Sequence, residues 1–310
     1  LTPSTPHVAR NERLLVYASF AVLYLVWGAS FVVNKIMVGE LPPLLSAGIR
    51  FIVGGAALVA LARLRGAAWP PSALEWRHVA VMGVLTVVAS NGINIVALRY
   101  VAANQSALLN SSSAFWIALL GTFGARGHAL SRRTQLGLVL GFLGVVLVLL
   151  PRGGFSAAHL GWQLMVVVGC FAWALATLYQ RTVRPQTAPF MYTGMMMIVG
   201  GVAVLLLGLA NGDAAAWRLT ARGLLALLYL IVFSSILGYA ALTYLIPRTT
   251  PARLGTYAYV NPVIAALVAW ALLGETLSPA QLVGSAVILA GVALVTLPPR
   301  PQPIPDEPAV

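Results

Sequence analysis

The side chains best equipped to recognise a polar solute lie inside the most apolar stretches of this sequence. Asn91 and Asn94 are three residues apart with Ser90 beside them, and Trp27, Ser30 and Asn34 recur at spacings of three and four. Trp173, Thr177 and Gln180 repeat that arrangement, with Trp173 lying 146 residues after Trp27. On a helix, residues three or four apart share a face. Asn110-Ser111-Ser112-Ser113, Ser234, Ser235 and Tyr239, and Tyr257, Tyr259 and Asn261 complete the set. Amides and hydroxyls can meet an ammonium or a carboxylate, and indole and phenol rings supply flat apolar walls with a polar edge. This is the chemistry of binding. Bond-breaking would need an embedded acid pair, a Ser–His pair or a metal cluster. All seven acids (Glu12, Glu40, Glu75, Asp213, Glu275, Asp306, Glu307) and all four histidines fall in loops, termini or the ends of apolar runs. An intramembrane enzyme, a cofactor and a metal site are therefore not expected, and neither is a proton antiporter built on a carboxylate relay. Cys170 is the one cysteine, in mid-run, and reads as an apolar packing residue.

The elements that hold these groups are membrane helices. Of the 310 residues, 60% are hydrophobic and 8% charged, whereas a soluble domain is about 25% charged. A bilayer crossing needs about 20 predominantly apolar residues. Ten runs fit, at roughly 15–38, 43–64, 79–101, 104–125, 132–150, 159–181, 188–209, 222–246, 251–273 and 278–297. The expected fold is an all-α membrane protein of ten transmembrane helices joined by short connections. Residues 1–14 form a polar N-terminal segment without a cleavable-signal pattern, so the first run acts as an uncleaved anchor. Residues 298–310 form a Pro-rich tail that reads as disordered. In hydrocarbon an unsatisfied polar group costs several kcal/mol. Polar positions in mid-run therefore mark helix contacts or a wet cavity.

The sequence also repeats itself. Trp27, Pro43, Val53-Gly54-Gly55 and Leu61 recur at Trp173, Pro189, Val199-Gly200-Gly201 and Leu207, and Leu130-Ser131, Gly137 and Gly144 recur at Leu277-Ser278, Gly284 and Gly291. The repeat units are 15–150 and 159–297, five runs each. An odd number of crossings leaves the chain on the opposite side, so the second unit must be inverted relative to the first. Inverted repeats bind substrate near the midplane where the two meet, and rocking one against the other gives alternating access. The net charge of +12 is distributed accordingly. With the N-terminus inside, thirteen arginines fall on the cytoplasmic side and five basic residues (Lys35, Arg99, Arg152, Arg218, Arg222) on the other. An excess of basic residues on the cytoplasmic side orients membrane proteins, which places both termini inside. No basic face with stacking aromatics accompanies the charge, so nucleic acid is not an expected partner.

The runs differ in character. Leu136–Leu150 has no polar side chain, and Gly137, Gly141 and Gly144 give it a small-residue face, as Gly284 and Gly291 do for the last run. Such faces permit close backbone approach. These two runs are expected to support the structure by packing within the chain, leaving a monomer, with a dimer contact as the alternative. Ser131 and Ser278 read as N-caps, with Pro279 at the first helical position. Four consecutive residues sweep most of a helical turn, so Asn110 to Ser113 cannot all face one cavity. Pro262 cannot donate to the Ala258 carbonyl and is expected to kink its helix. Arg50 is the one arginine well inside a run. It could neutralise a substrate carboxylate, but a structural role, bonded to neighbouring groups, is the expectation. Trp69, Trp76, Trp162 and Trp217 read as interface anchors.

These residues together resemble the ten-helix EamA-type members of the drug/metabolite transporter superfamily. The resemblance covers residues 15–298 and is carried by Asn261-Pro262-Val263, Leu272-Leu273-Gly274-Glu275, Gln281, Gly284 and Gly291-Val292, with Trp27-Gly28-Ala29-Ser30-Phe31 and Arg50-Phe51 in the first half. The first half departs from the pattern, with Ala114-Phe115 in place of Asn-Pro and His128 in place of Glu. The resemblance implies a multi-pass protein of the bacterial inner membrane that exports small metabolites, amino acids (aromatic, or neutral such as threonine or methionine) before others. A permease of other specificity, for uptake or multidrug efflux, is the alternative, and a receptor without solute flux a remoter one. The residues expected to touch substrate are Trp27, Ser90, Asn91, Asn94, Asn110, Ser113, Trp173, Ser234, Tyr239, Tyr257 and Asn261.

Overall fold

The computed structural model describes residues 6–121, 131–149, 157–183, 185–249, 254 and 257–296. Among these residues every regular element is helical. Gly127, His128, Pro151, Arg152, the side chain of Tyr259 and the tail from residue 298 lie outside them.

Helix α1 (Pro6–Val22) continues through a π-helical segment, Leu23–Trp27, into α2 (Gly28–Glu40). The first helix thus starts nine residues before the expected 15, because helical hydrogen bonding does not stop where the apolar run stops. Helix α3 (Pro43–Leu64) follows, then α4 (Ala73–Gly83), a second π-helical segment at Val84–Gly92, and α5 (Ile93–Ala97). Helices α6 (Ala103–Asn110) and α7 (Ser113–Leu120) replace the single run expected from residue 104, and α8 (Arg132–Leu149) closes the first half. The second half contains α9 (Ala157–Val183), α10 (Pro189–Ala210) and α11 (Ala221–Tyr229). A third π-helical segment, Leu230–Gly238, leads into α12 (Tyr239–Leu245), followed by α13 (Tyr257–Leu273) and α14 (Pro279–Thr296).

Among the described residues, six stretches are long and apolar enough to cross a membrane: Asn11–Glu40, Pro43–Leu64, Ala73–Ala97, Leu160–Gln180, Pro189–Ala210 and Ala221–Leu245. Val260–Leu273 and Pro279–Gly291 are shorter apolar helices. The chain is a multi-pass membrane protein by this composition and length.

Local signals explain several helix ends. Pro43 and Pro189 open α3 and α10, where a missing N–H costs nothing. Gly66 and Gly212 end the same two helices with φ of 81° and 80°, a backbone shape that other residues resist. The Ser131 hydroxyl accepts from Thr134 N at 3.2 Å. Ser278 accepts from Gln281 N at 3.2 Å while Gln281 Oε1 accepts from Ser278 N at 3.1 Å, a reciprocal capping box. Both expected caps are present. Pro262 lies inside α13, which runs on past it as a helix.

The two halves meet along two seams of small residues. A Cβ placed on Gly55 of α3 would fall 2.6 Å from Gly194 O of α10, and one on Gly194 would fall 2.8 Å from Gly55 O. A Cβ on Gly48 would meet Leu205, and one on Gly194, its counterpart 146 residues on, would meet Val59, the counterpart of Leu205. Early residues of α3 thus face late residues of α10, so the two matched helices run antiparallel and in reciprocal contact. In the other seam, between α8 and α14, Gly144 faces Gly284 and Ile288, while Gly291 faces Gly137 and Gly141. These are again matched positions in antiparallel register. The glycine faces of the two apolar runs are consumed inside the chain, as the sequence predicts for supports. The Val84–Gly92 and Leu230–Gly238 segments also correspond at an offset of 146 residues at both ends.

Candidate functional site

One cavity of about 950 Å³, the part open to solvent included, lies between the halves. Its wall contains all eleven residues expected to touch substrate: Trp27, Ser90, Asn91, Asn94, Asn110, Ser113, Trp173, Ser234, Tyr239, Tyr257 and Asn261, with Pro262 beside them. No described residue of α8 or α14 lines it. The structure adds Ser30, Phe31, Asn34, Arg50, Ile95, Leu98, Ser106, Ala107 and Ser111. Ser30 and Asn34 were legible from their spacing to Trp27. Thr177 and Gln180 do not line the wall, and Thr177 Oγ1 instead donates to Trp173 O at 2.9 Å.

The three π-helical segments each deliver wall residues: Trp27 from the first, Ser90 and Asn91 from the second, Ser234 from the third. A π-helical stretch widens the hydrogen-bonding ring by a residue, so backbone groups become available to side chains, and such stretches are frequent at functional sites. Here Asn91 Nδ2 donates to Thr86 O, five residues back, at 2.8 Å, and Trp27 Nε1 donates to Ser234 O at 3.2 Å.

The break between α6 and α7 resolves the four consecutive polar residues. Ser111 N and Ser112 N bond three residues back, to Leu108 O and Leu109 O. That tight turn leaves Asn110, Ser111 and Ser113 on the cavity, while Ser112 borders a separate apolar hollow with Phe115, Trp116 and Phe142. As geometry requires, the wall residues also bond locally: Asn110 Nδ2 donates to Ser106 O at 2.9 Å and Ser113 Oγ to Asn110 O at 2.7 Å.

Aromatic rings gather around Trp27. Its ring centroid lies 6.4 Å from Trp173, 5.6 Å from Tyr239 and 5.7 Å from Tyr257, all in edge-to-face arrangements. Such pairs are worth about 0.5–1.5 kcal/mol beyond area burial. Trp27, Trp173, Tyr239 and Tyr257 come from four separate helical stretches, so this cluster ties both halves together at the cavity wall.

Arg50 is the charged member of the wall. Nε donates to Ser235 Oγ at 2.8 Å, Nη1 to Asn34 Oδ1 at 2.9 Å and Nη2 to Ser234 Oγ at 2.9 Å, with Phe51 4.8 Å away. It therefore holds α2, α3 and the third π-helical segment in register, the structural role expected of it.

Polar clamps sit at both ends of the bundle. At one end Lys35 Nζ donates to Leu98 O (2.6 Å) and Val101 O (2.9 Å), and the Glu275 carboxylate accepts from Ala103 N (2.9 Å) and Asn104 N (3.0 Å). At the other, Glu75 accepts from Gln186 N and Thr187 N, both at 3.2 Å, and Tyr179 lies 2.7 Å from His78 Nδ1. An ammonium on the C-terminal carbonyls of a helix, and a carboxylate on N-terminal amides, satisfy groups the helix leaves open.

The profile of the "EamA-like transporter family" matches residues 14–150 and again 160–297. The chain is 30% identical over 289 residues, 93% of its length and 92% of the relative's, to the "Uncharacterized inner membrane transporter YedA" of Escherichia coli K12. It is 28% identical over 281 residues, 87% of its length and 91% of the relative's, to the "Probable amino-acid metabolite efflux pump" of Salmonella typhimurium. A solved crystal structure, 20% identical and spanning 93% of this chain and 96% of its own, superposes with a TM-score of 0.68 and shares the fold.

Proposed function

The chain belongs to the EamA-like transporter family, and from that premise we propose that it exports an amino acid through the cavity between its halves. The substrate is aromatic or neutral, and the cavity opens alternately to the two sides. The observation that carries this reading is the wall itself: amides, hydroxyls and aromatic rings from six helical stretches, with no Asp or Glu among the described residues that line it. A cationic drug would want a buried carboxylate, whereas a zwitterion finds donors and acceptors in Asn91, Asn94 and Asn110, and its side chain finds Trp27, Trp173 and Tyr257. Export takes its support from the relative named as an amino-acid metabolite efflux pump, and an inner-membrane location from the relative named as an inner membrane transporter.

Ten crossings in two inverted units, 15–150 and 159–297, fit the observed packing. Matched helices that touch reciprocally are related by a two-fold axis. The antiparallel course of α3 and α10, and of α8 and α14, supports an axis that crosses the helices rather than following them, as an inverted pair requires. The end clamps agree: Lys35, Leu98, Val101, Ala103 and Glu275 belong to one side of a ten-crossing chain with its termini inside, and Glu75, His78, Tyr179 and Thr187 to the other. With the glycine faces used internally, the working unit is a monomer.

The test is a proteoliposome screen of labelled amino acids. Wild-type protein moves at least one of them, and Trp173→Ala and Asn94→Ala both slow it. Movement of a cationic dye with no amino acid moved would overturn the substrate class. Large, steady accumulation driven by a pH gradient alone would overturn transport without a carboxylate proton relay.

A further inference from the structure

We infer that Arg50 is the anchor for a carboxylate on the transported molecule, an inference that rests on the transport reading above. Arg50 is buried, 3% exposed, and is the one charged residue among those lining the cavity. Among the described residues the ion pair within 4.0 Å joins Arg222 to Glu40, so no described carboxylate reaches Arg50. Its three bonds go to neutral groups, the hydroxyls of Ser234 and Ser235 and the amide of Asn34. A guanidinium has five N–H donors. Three are used, which leaves one N–H on each Nη of a side chain that lines the cavity.

A buried positive charge held only by dipoles stays electrostatically uncompensated, and the penalty is severe in a low-dielectric setting. An anion that enters the cavity compensates that charge. The remaining donors narrow its class. Two N–H groups and one unit of charge match a carboxylate, which carries a single negative charge and two coplanar oxygens. A phosphate dianion would leave one negative charge unmatched inside the membrane. A second group on the same wall fits the other end of such a molecule. Asn94 gives its amide N–H to Ser90 O, but its Oδ1 is buried with no partner, an acceptor that a turn of this cavity-lining side chain presents to an ammonium. The structural and recognition roles of Arg50 do not compete, because they use different N–H groups.

The inference is tested with the full-length protein in liposomes, using phenylalanine, methionine and threonine, each as free acid, as carboxamide and as the decarboxylated amine. The expected result is that the transported acid outcompetes its amide and its amine by about ten-fold or more, the worth of a charge-assisted hydrogen bond to a buried cation. In Arg50→Gln the preference falls to within about two-fold. In Ser235→Ala, which keeps the charge, it persists. Should Arg50→Gln fail to fold, the wild-type comparison stands alone: amide or amine carried as well as the acid overturns the anchor and leaves amino-acid transport intact. Movement of none of the nine compounds overturns both.

Discussion

The α3–α10 seam makes a quantitative prediction. Gly55→Ala places a Cβ 2.6 Å from Gly194 O and 3.0 Å from Ile198 N, both backbone atoms that cannot rotate away. Raising 2.6 Å to an ordinary 3.4 Å contact requires the two helices to separate by about 0.8 Å. Lipid tails are as apolar as the side chains, so helix association in a bilayer depends on close packing, and separation along a seam is costly. Overpacking typically costs about 1–3 kcal/mol, while Gly→Ala in a helix returns about 0.5–1 kcal/mol. From the middle of each range, the net expectation is a loss of about 1 kcal/mol. Gly39→Ala is the control, because a Cβ there meets nothing within 4 Å and only the helix gain remains. Thermal unfolding of the detergent-solubilised proteins, followed by fluorescence-detected size exclusion, should rank Gly39→Ala at or above wild type and Gly55→Ala below it. If Gly55→Ala unfolds at or above the temperature of Gly39→Ala, the close approach of the two helices is not what the seam glycines provide.

Three further outcomes follow from the geometry. Gly169→Ala puts a Cβ 2.5 Å from Asn94 Nδ2 and 3.0 Å from Ser90 O, which displaces the Asn94 amide. Loss of about one hydrogen bond's worth of binding should raise the KM for transport roughly five-fold, and an unchanged KM would show that Asn94 does not meet substrate. Glu275→Gln removes the charge that caps Ala103 N and Asn104 N and should cost about 1 kcal/mol in thermal unfolding. No loss would mean that this cap is not limiting for stability. In a Cys170→Ser background, Asn211→Cys should react with a membrane-impermeant maleimide from outside the cell, and Arg65→Cys only after permeabilisation. The reverse pattern would overturn the assigned orientation.

Much of the site was legible because hydrocarbon makes polar residues informative. Asn91, Asn94, Asn110 and Ser234 stand out against apolar neighbours, and the cost of leaving them unsatisfied predicts that they gather at helix contacts or a cavity; all four line the cavity. The break at Ser111–Ser112 and the three π-helical segments were not legible. A shift from i→i+4 to another hydrogen-bond register costs little locally and leaves no mark in residue type. The partition of Asn110 to Ser113 depended on that break: without it, Ser111 and Ser113 could not both face the cavity while Ser112 turns to an apolar hollow. Arg50 stood out as a charge in the wrong place, but its partners Ser234 and Ser235 lie 184 and 185 residues away, a distance no local pattern spans.

By itself the sequence determined that the chain lives in lipid, that it is built twice, and which polar side chains would be driven together. Those follow from composition, offset and the cost of dehydration, all of which act residue by residue. Tertiary structure alone decided how the two copies meet: α3 against α10 and α8 against α14, head to tail, close enough that glycine is required. It also decided which neutral groups Arg50 would bond, Asn34 on one side and Ser234 and Ser235 on the other. Both are matters of ångström-scale approach between segments far apart in the chain, and such distances are set by packing of the whole bundle rather than by any stretch of it.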